Sequence, residues 1–238
     1  MSEPVTVHRF GDGPVLVTCE HASGELPEPW GWSGADSRLV QTHWAVDLGA
    51  GTLAIELAEA LQSSAVIAGF SRLLVDANRD LDSATLFRTH CDGVAVDLNT
   101  DLAEDDRSRR LAGYYAPFHE AARSEALRVP RRVVFSVHSF TPEYEGQVRT
   151  VEVGVLFDRD ESAAIDLRDW LARELRQPVA LNEPWSGRDG LMFSPTSHAD
   201  ACGALALEIE VRQDLLPDPE YRRLLVAALA GGLMQLAT

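Results

Sequence analysis

The sequence predicts an α/β fold with a largely parallel sheet. Short apolar runs recur along the chain, and segments with helical apolar spacing lie between them. Several of the runs also end abruptly in His, Glu, Asp, Asn or Arg, as strands do where such a fold builds its cleft.

Val15 to Cys19 follows the Gly11–Pro14 turn and reads as a buried strand, with a Pro/Trp/Gly-rich loop after it. From about Asp47 to Gln62, Leu48, Leu53, Ile55, Leu57 and Leu61 recur at near-helical spacing and predict a helix. Ala65–Ala68 and Ser71–Val75 read as the next strand region, ending at Asp76 to Arg79. A helix is expected from about Glu104 to Arg128, and a strand from Arg132 to Val137 that runs into His138 and Ser139. Val151–Phe157 predicts a strand, Ser162–Arg176 an amphipathic helix, Leu205–Val211 a strand and Pro219–Leu236 a closing helix. No linker-like stretch divides the 238 residues, so one domain over 1–238 is expected. A chain of this length buries roughly 70–75% of its unfolded surface and needs no staple.

Charge narrows the function classes. Against 37 acidic residues stand 21 basic ones, a formal net charge of −16. Such a surface repels phosphate backbones and anionic lipid, which argues against nucleic acid and membrane partners. Every basic side chain other than histidine is arginine, which excludes a Schiff-base or P-loop lysine. Cys19, Cys91 and Cys202 are odd in number and lack Cys-x-x-Cys spacing, as in a reducing compartment. The polar first residues and the lack of a membrane-length apolar run predict a cytoplasmic protein.

Chemistry concentrates at four strand ends: Glu20-His21, Asp76 to Arg79, His138-Ser139, and Glu210 to Arg212. One histidine after a strand is ordinarily a loop residue. Two of them, with carboxylates at independent strand ends, make a pattern. Two imidazoles and one carboxylate supply three ligands to Zn²⁺ and leave a fourth position for water. His21 and His138 are the nitrogen candidates. Asp47, at an expected helix start, competes with Glu20 for the carboxylate position; helix capping explains Asp47 about as well. In a regular strand Glu20 and His21 point oppositely, which favours Asp47. Glu208, Glu210 and Arg212 share one strand face if the strand stays regular, and offer a general base; an edge-strand ion pair is the plain alternative. Asn78 and Arg79 suit a substrate carboxylate, although Arg79 can equally pair with Asp76 or Asp80. His8, His90 and His198 lie in polar stretches and read as surface or loop residues. His119 reads as a packing residue, and His43 has ligand-compatible spacing to Asp47.

Six segments in order carry a resemblance: Cys19-Glu-His-Ala-Ser-Gly24, His43-Trp-Ala-Val-Asp-Leu-Gly-Ala50, Ser71-Arg-Leu-Leu-Val-Asp-Ala-Asn-Arg79, Val137-His-Ser-Phe140, Asn182-Glu-Pro-Trp-Ser-Gly187 and Glu210-Val-Arg-Gln-Asp-Leu215. Together they resemble the N-formylglutamate amidohydrolase family. That resemblance implies a three-layer α/β/α fold like that of zinc-peptidase-like hydrolases, with a mostly parallel or mixed sheet. It also implies metal-dependent cleavage, with one Zn²⁺ per chain, of an N-acyl amino acid carrying a free carboxylate. On its pattern His21, His138 and Asp47 are the metal ligands and Glu210 the catalytic carboxylate. On the same pattern Arg79, with Asn78, is the substrate-carboxylate clamp; Ser139 and Arg212, at neighbouring strand ends, are also expected on the substrate side. Glu20 stands where the best-known members carry proline, which brings the chain closer to a predicted branch of the family. Two other classes fit the same residues: a hydrolase using Cys19 or Ser139 as nucleophile with His138 as base, and a non-catalytic carboxylate-binding module.

Overall fold

Side chains alternate across a strand, and in this protein that alternation separates packing from chemistry. The computed structural model describes residues 3–238. In chain order, β1 (Val5–Arg9) and β2 (Val15–Cys19) lead to α1 (Ala50–Ala60) and β3 (Ser64–Ala68). A small hairpin, β4 (His90–Cys91) and β5 (Val94–Ala95), precedes α2 (Glu104–Arg110), a π-helical turn (Leu111–Tyr115) and α3 (Ala116–Arg128). There follow β6 (Val133–Phe140), a hairpin of β7 (Glu143–Tyr144) and β8 (Gln147–Val148), then β9 (Val153–Leu156) and α4 (Glu161–Leu175). The chain continues through β10 (Ala180–Leu181), α5 (Phe193–Cys202), β11 (Leu205–Arg212) and α6 (Pro219–Leu236).

The main sheet has seven strands in the order β1-β3-β2-β6-β11-β9-β10. β3, β2, β6 and β11 run parallel. β1 is antiparallel to β3, and β9 is antiparallel to β11. On one face Val15, Val17 and Cys19 of β2, Val133, Phe135 and Val137 of β6, and Leu207, Ile209 and Val211 of β11 pack against α1, α4 and α6. Leucines four apart supply the matching helix stripes: Leu53 and Leu57, Leu167 and Leu171, Leu225 and Leu229. On the other face Leu16, Val134 and Ala206 meet Phe118, Ala122 and Ala126 of α3 and Ala199 of α5. This is the expected three-layer α/β/α arrangement.

That second face changes character along the strands. Its first half is apolar; its second half carries Ser136 and His138 of β6 and Glu208 and Glu210 of β11, all buried. Register sets Glu210 beside His138 and Glu208 beside Ser136. From β2 the chain crosses through α1 to β3 on one side, while β6 lies on the other. The crevice beyond the carboxyl ends of β2 and β6 is therefore where the strand order reverses, the place such sheets bind ligands.

The structure corrects several expectations. Ser71–Val75 is a turn, not a strand: Leu74 and Val75 are buried in the core between the sheet and α3 and Leu73 in a smaller cluster with Leu39 and Val96, so the apolar run reports burial without pleating. α1 starts at Ala50, because Gly49 takes a left-handed conformation (φ 84°) in which an added Cβ would strike Leu216. Asp47 and His43 thus lie in the turns before the helix. The 104–128 helix is present but interrupted by the π turn. His198 lies buried on α5 with its Nε2 3.1 Å from His119 Nδ1, contrary to the surface position expected.

Burial pulls both of these histidines down to about 4, and for His198 the neighbouring His119 adds to it. In the unfolded chain both titrate near the ordinary value of about 6.5. As pH falls from 6.5 towards 4, the unfolded chain takes up protons that the folded pair refuses, so stability drops across that window. Melting curves of the wild type and of a His119→Phe/His198→Leu variant should therefore differ in slope between pH 6.5 and 4, the variant being flatter. Parallel slopes would contradict it.

Candidate active site

Three donor atoms converge at the crevice. His21 Nδ1 and His138 Nδ1 lie 3.1 Å apart, His138 Nδ1 is 2.8 Å from Asp47 Oδ2, and His21 Nδ1 is 3.4 Å from the same oxygen. His21 is placed by the turn that ends β2, His138 by β6, and Asp47 by the turn ahead of Gly49. All three are buried. The Asp47 backbone N–H donates to His21 O (2.9 Å), tying the two turns together.

The far nitrogens decide which ring atoms face inward. His21 Nε2 donates to Asp76 Oδ1 at 2.7 Å. His138 Nε2 lies 2.9 Å from Ser136 Oγ and 3.2 Å from Glu20 Oε2. Since carboxylates only accept, each Nε2 carries the proton and each Nδ1 presents a lone pair. Two lone pairs and a carboxylate oxygen then face one another with no donor between them. Such a triangle is stable only around a cation. Tetrahedral Zn²⁺ with bonds of about 2.0–2.1 Å sets ligand atoms about 3.3 Å apart; the three edges here are 2.8, 3.1 and 3.4 Å, close enough for a small outward shift of Asp47 to admit the ion. Without a metal, a proton takes that place: burial opposes it, but Glu208, Asp47 and Glu20 hold the His138 pKa well above its ordinary value.

Arg72, not singled out in the sequence, braces this set. Its Nη2 donates to Asp76 Oδ2 at 2.9 Å, and its Nη1 lies 3.5 Å from Asp47 Oδ1, leaving Oδ2 for the histidines. Against this one paired arginine stand five buried carboxylates: Glu20, Asp47, Asp76, Glu208 and Glu210. Of these, Glu20, Asp47 and Asp76 are, against the effect of burial, held below the ordinary carboxylate range by their hydrogen bonds and cationic neighbours, and three buried charges against one arginine suit a bound cation.

Glu208 and Glu210 both reach the cleft but differ in their bonds. Glu208 Oε2 accepts from Asn78 Nδ2 (3.3 Å) and lies 3.4 Å from His138 Nε2. Glu210 Oε2 has no hydrogen-bond partner among the described residues. Burial, with the negative charge of Glu20, raises Glu208 to about 7. Burial, with Asp47 and Glu208, holds Glu210 well above the carboxylate range.

Asn78 and Arg79 line the same cleft of about 170 Å³, together with Ser139. Arg79 Nη1 donates to Asn78 O (2.7 Å) and its Nε to Thr85 Oγ1 (3.1 Å). It forms no ion pair with Asp76 or Asp80. Its carbonyl accepts from Tyr115 Oη (2.8 Å), a residue brought there by the π turn. Arg212 does not reach the cleft: Asp214 Oδ1 (2.8 Å) and Glu152 Oε1 (3.3 Å) hold its guanidinium at the strand end. Arg88 over Trp44, and Arg149 over Tyr144 and Trp185, line the mouth. They come from loops and a hairpin without periodic signal, so spacing could not find them.

Neither nucleophile candidate is poised. Cys19 is fully buried in the opposite face of the sheet, and desolvation pushes its thiol far up. Ser139 Oγ donates to Leu48 O at 2.9 Å, directing its proton away from His138.

Fold and cleft define an α/β/α protein with a buried His, Asp and Glu site beyond the carboxyl ends of its strands. Residues 13–216 match the model of the N-formylglutamate amidohydrolase family, and the chain belongs to that family. It is similar to a gene product of Agrobacterium tumefaciens of known crystal structure: 31% identity, TM-score 0.90, covering 98% of this chain and 94% of that one. An N-formylglutamate amidohydrolase from Ralstonia eutropha shares the fold at 20% identity and TM-score 0.71, over 98% of this chain and 97% of that one. No curated protein matches the chain.

Proposed function

We propose that the enzyme is a metal-dependent amidohydrolase, with Zn²⁺ the metal, acting on an N-acyl amino acid with a free carboxylate, such as N-formylglutamate. The observation that carries this reading is the convergence of His21 Nδ1, His138 Nδ1 and Asp47 Oδ2, with both outer ring nitrogens already occupied. These three residues would hold the ion. When bound, it supplies acidified water and a polarised carbonyl.

The chain's own residues do the rest. Glu210 is the proton carrier, since its free, buried oxygen can accept a proton from the attacking water and return it to the departing nitrogen. Water adds to the acyl carbon as the C–N bond breaks, giving a carboxylic acid and the amine of the amino acid. Asn78 and Arg79 receive the substrate carboxylate, the guanidinium fork being suited to that geometry.

Hydrolysis of a panel of N-acyl amino acids, followed as released amine, tests the reading. Activity should vanish on exhaustive metal removal and return with Zn²⁺. Undiminished turnover in protein shown by elemental analysis to be metal-free would overturn it. Arg79→Ala should chiefly raise KM for free-acid substrates and change it little for the corresponding amides. An equal loss for both would contradict the clamp.

A further inference from the structure

His21 and His138 each need a group at Nε2, and for His138 that group sits in an unusual lock. Glu20 has no exposed surface. Its Oε1 accepts from Ser194 Oγ at 2.7 Å, and its Oε2 accepts from Ser136 Oγ while lying 3.2 Å from His138 Nε2. With its own proton given to Glu20, Ser136 Oγ also accepts from His138 Nε2, at 2.9 Å. Ser194 belongs to α5, and its backbone N–H donates to Asn78 Oδ1 at 3.0 Å. One carboxylate thus joins the end of β2, the middle of β6 and the start of α5, directly beneath the cleft.

Such a carboxylate is costly. No arginine pairs with it among the described residues, and hydroxyls alone do not offset the burial of a charge. A neutral side chain of the same size would fill the space without burying a charge. The charge makes sense through the imidazole it touches. Its position also excludes direct ligation within the converging set: Glu20 addresses Nε2, whereas the three donors meet at Nδ1.

The structure assigns Glu20 as the positioning residue of His138: steadied by Ser136 and Ser194, its carboxylate holds Nε2–H and turns Nδ1 towards His21 and Asp47. This rests on the metal-site reading above. Asp76 has the corresponding place at His21, but Arg72 neutralises it. Glu20 has no such cationic partner among the described residues, only the neutral hydroxyls of Ser136 and Ser194, so its full charge acts on His138.

Titration of the metal-free full-length protein with Co²⁺, against a competing chelator, tests this through affinity and the visible spectrum. Glu20→Gln should bind Co²⁺ about 10–100-fold more weakly, the range for loss of such a partner, with band positions as in the wild type. Ser194→Ala should shift affinity in the same direction by less, and the metal-free melting temperatures should stay close to wild type. Wild-type affinity in Glu20→Gln would overturn the assignment, as the carboxylate would then be structural only. Altered band positions and intensity would overturn it too, making Glu20 a ligand. If Glu20→Gln does not fold, Ser194→Ala carries the test, and wild-type affinity there overturns it. Failure of the wild type itself to bind Co²⁺ would instead remove the metal-site reading, and this assignment with it.

Discussion

Glu210→Gln lowers kcat by about 10²–10⁴-fold while metal affinity and fold are retained, the loss expected for a general acid–base group. Glutamine keeps the size and one acceptor of the side chain and removes only the capacity to take a proton. The neighbouring Glu208→Gln must be measured beside it, because both carboxylates are buried in the same cleft. Glu208 is engaged by Asn78 and lies against His138, whereas Glu210 Oε2 is unpartnered among the described residues. The larger loss therefore belongs to Glu210. If Glu208→Gln stops turnover and Glu210→Gln does not, the proton carrier is Glu208.

The second large effect is on the metal. His138→Ala and Asp47→Ala each remove one of three converging donors, and either should abolish stoichiometric metal retention and the activity that depends on it. The core should survive, because the apolar faces of β2, β6 and β11 pack without the site. Asp47→Ala should weaken binding more than Glu20→Ala, since Asp47 Oδ2 joins the donor triangle and Glu20 only touches the far side of His138. Metal content per chain after gel filtration, read by elemental analysis, checks both statements. The opposite order would make Glu20 the acidic ligand.

Much of this site was legible in the sequence because apolar runs that stop in polar residues mark the cleft, whether the run is a strand or, as at Ser71–Val75, a buried turn. His21, His138, Asn78, Arg79, Glu208 and Glu210 all lie where apolar runs stop, and the fold gathers those stops in one crevice. Asp47 was legible as a candidate, though for the wrong local reason: a turn held by Gly49, not a helix start, aims it inward. Arg212 misled because strand periodicity gives a face but not the competitors at the strand end, here Asp214 and Glu152.

Other features left no periodic trace. β1 lies in a largely polar stretch, yet Val5 and Val7 alternate as an edge strand does. α5 has no apolar stripe, being built after Phe193 from small and polar residues, yet it delivers Ser194 to Glu20. Arg72 sat inside an apolar run that resembles a strand, and only the turn it occupies sets it against both Asp47 and Asp76. Tyr115 reads as one apolar position of a long helix; the π turn changes its direction and brings its hydroxyl to Arg79.

The most direct test of the central claim is anomalous diffraction at the zinc edge from crystals of the Zn²⁺-loaded enzyme. The account predicts one strong peak per chain, within bonding distance of His21 Nδ1, His138 Nδ1 and Asp47 Oδ2. A peak elsewhere, or none at full Zn²⁺ loading, would contradict it.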